Sequence, residues 1–464
     1  MPFRLTRLSS PVLLLALLCA CGGISPVNPQ TPGPTAATAT SGAVLSTPTA
    51  QPTLQQIDPS SLRGIKLQIW DAFTGPGAAA FANQVALFNT TNSWGILVYP
   101  TDYSSYPELS DAITTSIAAG GEPDLVAALP DRVLAWDAAG VVVDLNRYVS
   151  DPEWGLKSTE IADIPAVFWA QDSVGGRRVG VPAQRSTDLL FYNETWAHEL
   201  GFSHPPTTAD EFRQQACAAN ASARAGTDRQ KYGYGGWVVD TTWPTVLAWM
   251  TAYGGGVAGN GSYHFQSSQN LAALQFLKKL YDDHCAWIST EATPFDAFAQ
   301  RLALFVSGDL AEVSLAEESM ARLKNNDEWT VLPYPGGNSS ALITYGPSYA
   351  LLASNPANQL AAWLFLRWTL SPDSQVNWVK SAWSLPLRNA VMDSLGSGRS
   401  GQPQWEAAVQ TLPFLVGTPE LASWQKVSYV LEDGSQSIFR TNMPSAQISS
   451  VLDQMDTLAQ ELSK

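Results

Sequence analysis

Between residues 64 and 140 the apolar positions switch repeatedly between two periods. Ile65, Leu67 and Ile69 share one face of residues 64–70, the period of two expected of a half-buried strand. Gly75, Pro76 and Gly77 then mark a turn. Phe81, Val85 and Phe88 follow at i, i+4 and i+7, which predicts a helix. Residues 95–99 read as a second strand. The alternation continues with a helix over 108–119, a strand over 124–128 and a helix over 131–139. Strands that alternate with helices in this way predict an α/β sheet covered by helices on its faces.

Later helices carry start signals. Thr208 and Glu211 have the spacing of a capping box, in which hydroxyl and carboxylate satisfy the first backbone donors. Ser371 places a capping hydroxyl before Pro372 at the first helical turn. Leu271, Leu274 and Leu277 lie on one face of a helix ending near Cys285, and residues 360–368 are apolar enough to be a buried helix. There is no internal repeat. A chain of 464 residues exceeds one ordinary core, so two large lobes are expected.

Composition narrows the partners. With 41 acidic against 26 basic residues the formal net charge is -15, which argues against a nucleic-acid backbone as partner. At the N-terminus Arg4 and Arg7 precede an apolar run over 12–18. That run is shorter than the roughly 20 residues a bilayer-crossing helix needs, and it has the build of a secretory leader. Residues 22–57 carry no charge and are crowded with Pro, Thr, Ala and Ser. They cannot bury enough apolar surface to offset their ordering entropy. The expected organisation is therefore a leader over 1–20 and a disordered tether over 21–61.

The leader ends in Leu18, Cys19, Ala20 and Cys21. A leucine three residues before a cysteine, with a small residue directly before it, resembles the bacterial lipoprotein processing site. The resemblance implies cleavage after Ala20 and diacylglycerol on the Cys21 thiol, which would anchor the chain to the outer face of the cell membrane. Two thiols then remain, Cys217 and Cys285. Outside the cytoplasm such a pair is expected to form a disulfide, the alternative being two separately buried thiols. No metal site is expected, because the four histidines are scattered and neither a CxxC nor an HExxH occurs. No cofactor motif is present either.

Three further segments carry a family resemblance. Residues 67–80 read LQIWDAFTGPGAAA. Residues 179–212 contain Gly180 and Pro182, a strand ending in Tyr192 and Asn193, and a helix start formed by Pro206, Thr208, Glu211 and Phe212. Residues 345–391 open on Tyr345 and Gly346 and close on Leu385, Pro386 and Arg388. Together they resemble the family 1 extracellular solute-binding proteins, the maltose-binding and glycerol-phosphate-binding type of ABC importer component. Gln300 and Arg301 stand where that family usually carries a Lys or Gly-Lys, and Trp383 and Ser384 replace a glycine before Leu385.

The resemblance implies a two-lobe periplasmic-binding-protein-like α/β fold of the class II type, its lobes joined by hinge crossovers. Lobe 1 would comprise 62–186 and 295–343, with residues 298–308 as the return into it. Lobe 2 would comprise 187–294 and 344–464. Crossovers are expected over 184–190, near Pro294 and over 342–345. The implied function is to capture a sugar-like solute between the lobes and deliver it to ABC permease subunits, as a monomer outside the cytoplasm. Glycerol 3-phosphate or a glycerophosphodiester is the alternative solute.

Candidate ligand contacts come from chemistry and position. Sugars offer C–H faces to aromatic rings and hydroxyls to polar groups, and the chain has 17 Trp and 14 Tyr. Trp237 and Trp243 lie in a Gly- and Thr-bearing stretch suited to a loop, whereas Trp363 and Trp368 read as core. Asp71 and Thr74 follow the first strand at its carboxyl end, where ligands of open α/β sheets gather. Arg185 and Tyr345 sit at expected crossovers, and Arg388 lies in the closing turn, where the resemblance allows an arginine to hold a phosphate. Structural roles compete at each position: core packing for the tryptophans, a turn cap for Asp71, a pair with Asp188 for Arg185 and a salt bridge for Arg388. A carbohydrate-acting enzyme or an adhesive lipoprotein are the remaining classes. Glu317–Glu318 and Asp282–Asp283 are poor acid/base pairs, because adjacent carboxylates on a helix diverge.

Overall fold

The computed structural model describes Leu54 and residues 57–464, apart from 229–230, 292, 338, 396–401 and 441. Cys21, the leader and nearly all of the expected tether lie outside the described residues. Two sheets organise the rest. The first runs Leu97–Asp102, Lys66–Asp71, Leu125–Ala128, Ser348–Leu351, Val181–Pro182 in spatial order. Its first three strands pair in parallel and its last two join antiparallel. The period of two in the opening strand has its expected consequence: Leu67 and Ile69 are fully buried and Lys66 and Gln68 point to water.

The helices that connect the parallel strands begin with strong local signals. Ser105 caps Tyr106–Ala119 by accepting from the Glu108 amide, and Pro130 opens Pro130–Ala138. Helix Pro356–Thr369 packs against this sheet and against helix Gly75–Thr91, which also touches the sheet. It is buried along residues 359–366, including Trp363, while Phe88 meets Phe365 and the half-buried Trp368 edge to face.

The second sheet is built around Ser186–Asn193, whose eight residues are all buried. Phe305–Asp309 lies antiparallel on one side of it, and Trp329–Leu332 and Ser340–Tyr345 on the other. Short strands Trp237–Val238, Ala286–Trp287, Tyr334–Pro335 and Leu415–Gly417 extend the sheet. Helices Trp243–Ala252, Ser268–Asp282, Trp424–Ile438 and Ile448–Leu462 pack around it. Cys217 on helix Ala209–Ala225 and Cys285 beside Ala286–Trp287 are joined by a disulfide.

These pairings correct the sequence-based assignment of residues 295–343 and of the segment after 344. Phe305–Asp309 does not return to the first sheet, because its register runs from Tyr192 to Asp188 of the second. Conversely Ser348–Leu351, with helices Pro356–Thr369 and Pro372–Ser381, belongs to the first. A short buried strand has the same apolar pattern in either sheet, so its membership rests on distant partners. Pro294 is not a crossover but precedes helix Phe295–Ala299.

The chain crosses between the sheets at 183–185, again at Gly346 and Pro347, and a third time between Ser381 and Leu415. The first two crossings lie side by side, with the Ala183 amide donating to the Pro347 carbonyl at 3.1 Å. Gly346 has φ 142°, and a Cβ there would stand 2.4 Å from the Gln184 carbonyl oxygen, so the close approach of the two crossings requires glycine. Arg185 fastens them. Its Nη1 donates to the carbonyls of Gln184 and Pro347, each at 2.7 Å, and its Nη2 to Ser348 Oγ at 2.9 Å and Asp172 Oδ2 at 3.2 Å.

Candidate ligand cleft

Each lobe contributes one wall to a cavity of about 290 Å³. The first-lobe wall is Tyr106, Pro107, Leu129, Pro130 and Asp131, at the starts of the two helices that follow parallel strands. That edge of an open α/β sheet is where ligands collect. The second-lobe wall begins with Trp243, first residue of its helix, and Tyr345, last residue of its strand. It is completed by Trp424, Gln425, Ser428, Tyr429 and Glu432, which form a stripe along one face of Trp424–Ile438.

Aromatic rings dominate the second-lobe wall. Trp243 meets Tyr345 with ring centroids 5.4 Å apart and Trp424 at the same separation, both edge to face. Glu432 Oε1 accepts the Trp243 amide at 3.1 Å, so the helix start bearing Trp243 is tied to the stripe. Two larger hollows flank the cleft, one around Arg132, Lys426 and Lys464 and one around Gly255–Gly259 and Thr418–Glu420; neither has this ring arrangement.

Trp243, Tyr345 and Glu432 also line a second, adjoining recess of about 540 Å³ in the second lobe. Here the side chains are acidic: Asp188, Asp240, Glu291, Asp309 and Glu312 join Glu432. Tyr345 lies between Asp188 and Asp309, its hydroxyl within hydrogen-bonding distance of Asp188 Oδ1 and 2.5 Å from Asp309 Oδ2. Burial holds both carboxyls above the usual range, and for Asp188 the neighbouring Asp309 and Asp240 add to it. Burial likewise raises Glu312 and Glu432 and pushes the Tyr345 phenol well up.

Of the ligand contacts expected from the sequence, the structure brings Trp243 and Tyr345 into the cavity and leaves the others elsewhere. Trp237 is fully buried, packed against Phe212 and Trp249, because its strand runs through the second sheet and not along a loop. Arg185 is enclosed by the crossings and pairs with Asp172, not Asp188. Arg388 is buried with its Nε on Asp163 Oδ2 at 2.6 Å and Nη1 on the Leu370 carbonyl at 3.0 Å. Asp71 is 1% exposed and its Oδ1 accepts the Phe73 amide, the turn-capping role. Thr74 is exposed at the start of helix Gly75–Thr91, away from the cavity lining. Asp282 and Asp283 pair with different lysines, Lys278 and Lys279.

The stripe on Trp424–Ile438 was missed. Its signal was present as Trp424, Ser428 and Glu432 at four-residue spacing, although the same spacing describes a solvated helix face.

Solved structures of several binding proteins share this architecture. The sugar-binding protein MalE of Xanthomonas citri superposes with a TM-score of 0.74 at 20% identity, covering 86% of this chain and 97% of its own. The cyclic alpha-maltosyl-1,6-maltose binding protein of Arthrobacter globiformis gives 0.71 at 18% identity, covering 86% and 99%. UgpB of Mycobacterium tuberculosis, in complex with glycerophosphocholine, gives 0.68 at 18% identity, covering 86% and 98%. At these identities the likeness shows the two-lobe fold. No curated protein matches the chain at the sequence level. A family profile described as bacterial extracellular solute-binding protein matches residues 77–410. With most of the folded chain inside that match and a cavity walled by both lobes, the protein belongs to the bacterial extracellular solute-binding family.

Proposed function

We propose that this chain is the substrate-binding component of an ABC importer, capturing a sugar-like solute between its lobes without chemical turnover and presenting it to the permease. The observation that carries this reading is the aromatic cavity, in which Trp243, Trp424 and Tyr345 of one lobe oppose Tyr106 and Pro107 of the other. Ring faces suit the C–H surface of a sugar, while Gln425, Ser428 and Asp131 supply a few polar contacts at the rim. Closure of the lobes over such a ligand excludes water, and the closed shape is what a permease could read.

The same reading places the chain outside the cytoplasm as a monomer, held to the membrane through lipid on Cys21 and spaced from it by the uncharged residues that follow. Phosphate ligands fit less well. Among the described residues neither the cavity nor the acidic recess has a Lys, Arg or His in its lining, and Arg388 is committed to Asp163.

A thermal-shift panel of mono- and oligosaccharides, polyols and glycerol phosphates, on the chain from residue 21 onward, tests the proposal. A ligand at a hundred times its dissociation constant adds about 2.7 kcal/mol of stability, a shift that is easily read. Binding of a sugar-like solute with the solute recovered unchanged is expected. Release of a hydrolysed product, or no stabilisation by any member, would overturn it. Fatty-acid labelling that disappears in Cys21→Ala checks the anchor.

A further inference from the structure

The cavity is placed by the fold and by its aromatic walls; the recess beside it adds the sign of the charge it will accept. Six carboxylates line that recess, and among the described residues none of them takes part in an ion pair. Composition alone does not account for this, since the chain has 26 basic residues for its 41 acidic ones. The donors that the carboxylates do have are neutral. Asp240 accepts from Thr242 N and Thr245 Oγ1, Asp309 from Ser186 Oγ and Ala311 N, and Glu312 from Asp309 N. Asp131, on the opposite wall, differs: Arg132 neutralises it.

Tyr345 sharpens the imbalance. Its hydroxyl has one proton to donate, and two carboxylates, Asp188 and Asp309, stand within reach of it. Asp188 is 8% exposed. Asp309 has Ser186 Oγ and the Ala311 amide besides, but among the described residues no cation faces either acid, and a buried carboxylate without a counter-charge favours an added proton or an outside positive charge. A metal ion does not fit the geometry, because among the described residues no three His, Cys, Asp or Glu side chains are grouped to hold one. An organic cation needs no such convergence. At the mouth of the recess it would also meet Trp243 and Tyr345, whose rings line both spaces. A cation within about 6 Å of a ring centroid is attracted to the ring face, most strongly where water is excluded.

We infer that the solute of this cleft is cationic, a sugar-like molecule bearing an ammonium group, its ring held in the aromatic cavity and its ammonium directed into the acidic recess past Glu432. This deepens the importer reading and rests on it.

Matched probes test the charge separately from the sugar. Calorimetric titration of the chain from residue 21 onward would compare chitosan disaccharide with N,N′-diacetylchitobiose, and D-glucosamine with D-glucose. The members of each pair share a ring and differ at the 2-position, ammonium against acetamide or ammonium against hydroxyl. At least tenfold tighter binding of the ammonium member is expected, weakening as salt rises. In Glu432→Gln, which keeps an acceptor for the Trp243 amide, the ratio of the two affinities within each pair should fall several-fold, whatever the change in affinity for the neutral member. Asp188→Asn gives an independent second reading if Glu432→Gln lowers the melting temperature of the free protein. Equal or tighter binding of the neutral members, or tight binding of a glycerol phosphate, would overturn the cationic assignment and leave solute capture standing. Failure of every probe, neutral sugars included, would remove both.

Discussion

Asp131 of the first lobe accepts the backbone N–H of Gln425 in the second, Oδ2 to N at 3.1 Å, directly across the mouth of the cleft. Beside it Arg132 Nη2 donates to the Ala422 carbonyl at 2.6 Å. Both donors and acceptors close only when the lobes approach, so this pair biases the hinge toward the ligand-holding arrangement. Asp131→Ala should populate the open arrangement, raise the radius of gyration of the free protein in small-angle scattering and weaken ligand binding by about tenfold, the worth of one charge-assisted hydrogen bond. Asp131→Asn keeps an acceptor and should lose less. An unchanged scattering profile in the alanine variant would show that closure does not depend on this contact.

The two tryptophans singled out by sequence divide by what they touch. Trp237 is in the core, and Trp237→Ala should cost about 3–5 kcal/mol of stability, read as a lower urea midpoint, with affinity unchanged in the folded fraction. Trp243 is half-buried on the cavity wall, and Trp243→Ala should leave the midpoint nearly in place while affinity falls roughly a hundredfold, as for an interface anchor. Equal effects of the two substitutions on affinity would contradict the division.

Arg185 has no exposure at all, and Asp172 beside it is buried as well. Arg185→Met leaves the carboxylate of Asp172 without its charge partner, a change that typically costs about 3–5 kcal/mol. Arg185→Lys should recover little of this, because one ammonium cannot reach the Gln184 and Pro347 carbonyls and Asp172 together. Chemical denaturation of the three proteins decides it; full stability in the lysine variant would mean that charge alone suffices.

Asp71 makes stability depend on pH. Burial raises its carboxyl to about 7, against the opposing hydrogen bond from the Phe73 amide and with a further push from Asp102. A carboxyl with a higher pKa in the fold than in the unfolded chain holds its proton more tightly when folded. Its contribution is therefore complete below about pH 4 and is lost as the pH rises through about 7. Asp71→Asn should remove that slope, making the variant more stable than the parent at pH 8 by as much as about 4 kcal/mol. Denaturant midpoints of both proteins at pH 5 and pH 8 provide the comparison, and parallel pH profiles would rule Asp71 out as the source.

Reduction of the Cys217–Cys285 bridge releases a loop with a sequence separation of 68. In the chain-entropy treatment that costs about 4 kcal/mol. Differential scanning calorimetry with and without reductant should show a clear drop in melting temperature, and Cys217→Ser with Cys285→Ser should reproduce it.

Much of the local structure was legible in the chain itself. The period of two at Leu67 and Ile69, the capping box at Thr208 and Glu211 and the apolar run ending at Trp368 depend on neighbours a few residues away, so sequence determines them. Trp243 and Tyr345 were legible as cavity-wall positions for a related reason: each stands where regular structure begins or ends, and such ends face a cleft. What remained hidden depends on partners far along the chain. Arg388 finds Asp163 at a separation of 225 residues, and Phe305–Asp309 takes its register from residues 188–192. No local pattern distinguishes an arginine that holds a ligand from one held by a distant carboxylate, or a strand of one sheet from a strand of the other. The acidic recess is the extreme case. Asp188, Asp240, Asp309, Glu312 and Glu432 are unremarkable one by one in an acidic chain. Only the fold gathers them into one recess without a counter-charge, because electrostatic energy depends on distance and burial rather than on order along the chain.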